Sequence, residues 1–131
     1  MAWVEIFAVF FVSHLVGDYL LQTDWQARNK PGGLGRDPVA RRALVSHIVS
    51  YTFAFVPALI WLGDDIGAAE AVGIGALIAI PHLIQDDGRA LAAYVKRIKG
   101  QTALEERSVL AAADQSFHVL ALFLTALLAA S

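Results

Sequence analysis

The sequence predicts an all-α polytopic membrane protein, with four transmembrane helices in a bundle forming one domain over residues 1–131. Three observations predict it. Hydrophobic residues make up 57% of the chain, against about 45–50% in soluble domains, and the mean hydropathy is +0.57. Apolar stretches fall near residues 2–22, 43–62, 66–86 and 108–130, each close to the ~20 residues a helix needs to cross hydrocarbon. All ten Lys and Arg residues lie in two of the connections between these stretches.

The first stretch is apolar apart from Glu5, His14 and Asp18. It has no basic segment before it and no small-residue cleavage site, so it predicts a retained helix rather than a removable signal. The connection over 23–42 carries Arg28, Lys30, Arg36, Arg41 and Arg42, and its NKPGGLGRDP run predicts irregular backbone. Asp37 followed by Pro38 predicts an N-cap and first-turn proline, opening the second helix about two turns before lipid. The second stretch, ALVSHIVSYTFAFVPALIWL, is followed by Asp64 and Asp65 with no Lys or Arg. In the third, Gly67, Ala71 and Gly75 recur every four residues, a spacing that lets helices approach closely in lipid. Pro81 predicts a kink one residue before His82. The second basic connection, 87–107, holds Arg89, Lys96, Arg97, Lys99 and Arg107. Its RALAAYVKRIKG run predicts either a basic amphipathic helix on the membrane surface or an extension of the third helix. The fourth stretch, SVLAAADQSFHVLALFLTALLAA, completes the bundle.

The charge bias sets an orientation. Both basic connections are expected in the cytoplasm and both termini on the outer side of a multi-pass membrane protein.

The candidate site comes from the histidines. His14 and Asp18, His82 and Asp86, and Asp114 and His118 are each four residues apart, one turn along one helix face. His47 stands alone in the second stretch. Ionisable groups inside spans are rare and usually functional. All seven fall in the cytoplasmic half of their helices, spread over a depth on the order of 10 Å or less, so they are expected to meet. Three buried carboxylates repel unless neutralised. One divalent cation leaves a formal charge of about −1, and two with a hydroxide leave about none. With no cysteine present, one or two divalent ions on imidazole and carboxylate are expected: Zn first, with Fe, Mn, Ni or Co as alternatives. Gln22, Tyr51, Gln85 and Gln115 stand within a turn of the seven and fit hydrogen-bond partners of the ligands, although for any one of them a bond that merely ties helices together is the favoured reading. Tyr19 neighbours Asp18. Asp24, Asp37, Asp64, Asp65, Glu105 and Glu106 fall near helix ends and are expected to be solvated or capping.

The motif H-x-x-G-D-Y-x-x-Q-T-D-x-x-A-x-x-K from His14 to Lys30, with His47, His82-x-x-x-Asp86-x-x-Arg89 and Asp114-Gln115-x-x-His118, resembles a bacterial family of small membrane proteins known as domain of unknown function 3307. The resemblance covers nearly the whole chain and implies a four-helix protein of the bacterial inner membrane; no activity comes with it. Arg89 stands where the family tends to carry Lys, and Gln26 where it tends to be apolar.

The residues themselves favour a membrane-embedded metal-dependent hydrolase acting on a lipid or other membrane-associated, phosphate-bearing substrate, with a metal-bound water as nucleophile. Two other classes use the same residues: a metal-ion or proton transporter or sensor, and a non-catalytic accessory protein with a structural polar core. A transporter this small would need to form a homo-oligomer. No phosphate-cradling loop, nucleophile elbow or nucleic-acid signature is present, so nucleic acid is not an expected partner.

Overall fold

Apolar runs interrupted by proline and glycine set the helix boundaries, and the computed structural model, which describes residues 1–131, is all helical. Helix α1 (Trp3–Leu15) runs on into a π-helical turn, Val16–Leu20, in which Leu21 N–H donates to the Val16 carbonyl five residues back at 2.9 Å. A short α2 (Asp24–Asn29) follows, opened by a reciprocal cap in which Thr23 Oγ1 accepts from Gln26 N–H and Gln26 Oε1 accepts from Thr23 N–H. Capping chemistry rather than hydropathy makes this turn, and the NKPGGLGRDP run is irregular over residues 30–37 as its Gly and Pro predict.

Helix α3 (Pro38–Ala54) begins where the Asp37–Pro38 pair predicts, with Asp37 Oδ1 accepting from Val39 N–H at 2.8 Å. Helix α4 (Val56–Ile66) continues it after a bend of 51°. Pro57 has no N–H for the Phe53 carbonyl and disfavours a helical Val56. The second apolar stretch is thus a broken helix pair. Helix α5 (Ala68–Asp87), by contrast, continues without a break through Pro81.

Packing selects the site of the bend, because α4 must turn to lie against the small-residue face of α5. A Cβ placed on Gly75 would sit 3.1 Å from Leu59 Cδ1, and one on Gly63 would sit 3.4 Å from Ala71 Cβ. Ala71 and Gly75 provide the close approach that their spacing predicts, whereas Gly67, at φ +100°, makes the α4–α5 turn.

Gly88 (φ +80°) ends α5, and α6 (Arg89–Tyr94) starts anew with a π-helical continuation over Val95–Lys99. The basic run is therefore a separate helix, and the alternative of a third-helix extension is corrected by this left-handed glycine. It folds against the last long helix, with Tyr94 edge-on to Phe117 at 5.0 Å. A short α7 (Gln101–Glu105) leads into α8 (Arg107–Ala129).

Helices α1 and α8 are antiparallel: Trp3 meets Phe123 at 5.5 Å, while His14 meets Gln115 at 2.9 Å. The terminal amine pairs with Asp65 at the α4–α5 turn, so both termini share that end of the bundle. Both basic connections share the other: Gly32 N–H donates to the Asp87 carbonyl, and Leu34 N–H to Asp87 Oδ1. The interior divides in the same direction. Ile6, Phe10, Phe55, Ala58, Leu62, Ile74, Ile78, Leu122 and Ala126 fill the terminal half, and the buried histidines and aspartates fill the basic half.

Helices Trp3–Leu20, Ala68–Asp87 and Arg107–Ala129 are each long and apolar enough to cross a membrane, and the bent α3–α4 pair is so if taken as one span. Close contact at Gly17 fixes how α1 meets α3: an added Cβ would lie 2.7 Å from Tyr51 Cδ2 and 3.2 Å from Tyr51 Cα. Gly17→Ala is expected to destabilise the fold by about 1–3 kcal/mol through overpacking. Thermal unfolding in detergent measures this, and an unchanged midpoint would show that α1 can shift freely.

Candidate metal centre

The π turn supplies the first donor. By widening the helix after Leu15 it buries two consecutive residues, Gly17 against Tyr51 and Asp18 in the bundle interior. Such single π turns recur at functional sites. Helix α3 supplies His47, α5 supplies His82 and Asp86 one turn apart, and α8 supplies Asp114 and His118.

Four donor atoms lie together. His47 Nε2 is 3.1 Å from Asp18 Oδ1 and 2.8 Å from Asp86 Oδ2. His82 Nε2 is 3.3 Å and 3.1 Å from the same two oxygens, and the two Nε2 atoms are 3.1 Å apart. All four residues are buried. Ligand bonds of about 2.0–2.1 Å in a tetrahedron put neighbouring donors about 3.3 Å apart, and these five contacts lie near that spacing, while all four ligand atoms lie within 4.8 Å of one another. An imidazole nitrogen offers one proton or one lone pair, so by hydrogen bonding each Nε2 can serve only one of its three polar neighbours within 3.3 Å. A cation between the two nitrogens satisfies both.

A second group adjoins the first through Asp86, whose Oδ1 lies 3.1 Å from His118 Nε2. Asp86, Asp114 and His118 each have a ligand atom within 4.8 Å of the others'. His118 Nδ1–H donates to the Asp114 carbonyl at 2.6 Å. That bond fixes the tautomer and leaves the Nε2 lone pair aimed at Asp86, the usual state of a metal-binding histidine. Asp114 is the most open of these carboxylates, with 25% of its side chain exposed.

His14 belongs to neither group. Its Nδ1 lies 3.0 Å from the Tyr51 hydroxyl, its Nε2 lies 2.9 Å from Gln115 Oε1, and Asp18 is no nearer than 3.9 Å. Gln115 Nε2–H donates to Asp18 Oδ2 at 3.1 Å. Since the Gln115 oxygen can only accept, His14 carries its proton on Nε2 and accepts from Tyr51. The chain Tyr51–His14–Gln115 therefore holds one oxygen of Asp18 and leaves Oδ1 for the cluster. Tyr51 also stacks on the His82 ring at 3.5 Å and 5°. Gln22 accepts from Lys30 Nζ at 2.6 Å. Gln85 points elsewhere, donating to the Phe117 carbonyl, and so ties α5 to α8 rather than touching the centre.

Charge patterning marks Lys30 as a topology signal, yet its Nζ is 2.9 Å from Asp86 Oδ2 with a largely buried side chain. Its place at the end of the motif that begins at His14 was the available sign. Counting Lys30, three carboxylates and one ammonium leave −2, so one divalent ion neutralises the centre. Asp87 was the other unforeseen participant: it is buried, takes Leu34 N–H and pairs with Arg89, holding the first basic connection over the cluster. Gln26 is buried as well and donates to Ser46 Oγ. The centre departs from common metal sites in one respect: the Nδ1 atoms of His47 and His82 are buried without partners, where an acceptor is normal.

No curated protein and no solved structure matches the chain. A protein-family model described as protein of unknown function (DUF3307) matches residues 6–131.

Proposed function

The chain belongs to the DUF3307 family, and from its centre we propose a membrane-embedded metalloprotein acting as a metal-dependent hydrolase on a lipid or another membrane-associated substrate. The observation that carries its metal-binding part is the convergence of Asp18 Oδ1, His47 Nε2, His82 Nε2 and Asp86 Oδ2, each imidazole nitrogen within 3.3 Å of both oxygens. A polar core that served packing alone would not need to crowd three polar neighbours within 3.3 Å of each Nε2.

The surface supports the membrane assignment. Leu20, Phe53, Ile60, Val72 and Leu124 project outward from a bundle whose buried half is ionic, the reverse of a water-soluble arrangement. The two basic connections at one end, and the acidic turn with both termini at the other, fit an orientation with the basic end cytoplasmic. In this cysteine-free chain, Asp64→Cys and Lys96→Cys are expected to react with a membrane-impermeant thiol reagent from opposite sides. Labelling from one side refutes the orientation.

A bound divalent ion supplies Lewis acidity and an acidified water. The protein's part is to hold Asp18 and Asp86 at fixed distance, to exclude bulk water from His47 and His82, and to keep an Asp or His that ligates no ion as the proton acceptor. Lys30, Arg36 and Arg41 at the same end favour an anionic or phosphate-bearing substrate. Complete burial of the four donors favours ion retention over transport, which requires release.

Protein purified without chelator is expected to retain about one or two divalent ions per chain, and Asp18→Asn to lose at least one, since ligand loss costs at least the 10–100-fold in affinity typical of ligand-supporting residues. Elemental analysis decides it. Folded wild type without metal ends this reading.

A further inference from the structure

We propose that the centre is two unlike metal sites bridged by Asp86, and that the outer one, formed by Asp86, Asp114 and His118, is the exchangeable site that meets substrate. This rests on the metal-binding reading above and assigns the two halves of the cluster different work.

Asp86 divides its oxygens. Oδ2 faces His47 and His82, while Oδ1 faces His118 at 3.1 Å. A carboxylate presenting one oxygen to each of two donor groups is the usual bridge in two-metal sites, where ions sit about 3.5–4 Å apart. The inner group already has four protein donors, all buried, the closed shell of a structural site. The outer group has three, and three protein donors with a free position mark a catalytic site.

The free position has somewhere to open. Asp114 and Gln85 line a cavity of about 150 Å³ with Ile84, Ala90, Leu91, Tyr94 and Phe117, under α6. Apart from Gln85 and the Tyr94 hydroxyl the lining is apolar, and Asp114 is its only carboxylate. An amphiphile would fit with its oxygen-bearing head at the outer ion and an apolar portion under α6. Charge agrees: two divalent ions, one hydroxide, three carboxylates and Lys30 sum to +1, which suits an anionic head.

Mn²⁺ titration of the detergent-solubilised protein, followed by electron paramagnetic resonance, tests the assignment. Wild type is expected to take two ions per chain with an exchange-coupled spectrum, the second ion leaving on dialysis. His118→Ala and Asp114→Asn should each hold one ion, uncoupled and retained on dialysis, with outer-site affinity reduced at least 100-fold. Asp114→Asn changes a partly exposed group and guards against misfolding of the other variant. A wild type that takes one ion, unaffected by either substitution, overturns the two-site proposal while leaving the metal-binding reading intact. Loss of both ions in both folded variants also overturns it, by making the cluster one site. A folded wild type that takes none overturns the metal-binding reading itself.

Discussion

Asp86→Asn is expected to strip all retained metal and to destabilise the fold more than any other single change in the centre. Both oxygens of Asp86 are committed, Oδ2 to His47, His82 and Lys30 and Oδ1 to His118. The amide must point either a second donor at Lys30 and the histidines or one at His118. It also leaves a largely buried ammonium without its anion. Removing one partner of a buried ion pair costs about 3–5 kcal/mol, and here loss of bound ion adds to it. Elemental analysis with thermal unfolding of the same preparation measures both. Full metal occupancy in this variant would mean that the ion sits elsewhere.

Lys30→Met separates the ammonium from the ion by sign. Lys30 Nζ and a cation neutralise the same carboxylate oxygen, Asp86 Oδ2. Without Lys30 the metal-free centre carries −3 instead of −2, so apo protein should lose stability on the scale of a broken buried pair, about 3–5 kcal/mol. The more negative site should bind a divalent ion more tightly, because ion and ammonium no longer compete for the oxygen. Metal should therefore raise the unfolding temperature further in the variant than in wild type. An equal or smaller rise would show that Lys30 supports the ion through the Gln22 contact rather than opposing it.

Much of the fold was legible. The apolar runs at 2–22, 66–86 and 108–130 correspond to Trp3–Leu20, Ala68–Asp87 and Arg107–Ala129 within two residues at each end, because hydropathy and helix length are local properties. Asp37–Pro38 marked the start of α3 for the same reason: an N-cap needs only its own next turn. The bend did not follow. Pro57 and Pro81 are alike in sequence, and only the seating of α4 on Ala71 and Gly75 decides which of them breaks a helix.

The centre divides likewise. Spacing of four placed each His–Asp pair on one face, and charge bias placed all of them near one end, so the sequence by itself determined which helices carry polar groups and at what depth. Only the tertiary structure decided their parts. His14 and His82 have the same spacing to an aspartate, yet His14 is turned to Tyr51 and Gln115 while His82 faces Asp18 and Asp86. Lys30 and Asp87 join the centre because the first basic connection folds over the end of α5. Helical periodicity fixes the face and height of a side chain on its own helix. Which atoms of other helices it meets depends on the rotation and approach of those helices, set here by the π turn at Asp18 and the close contact at Gly17.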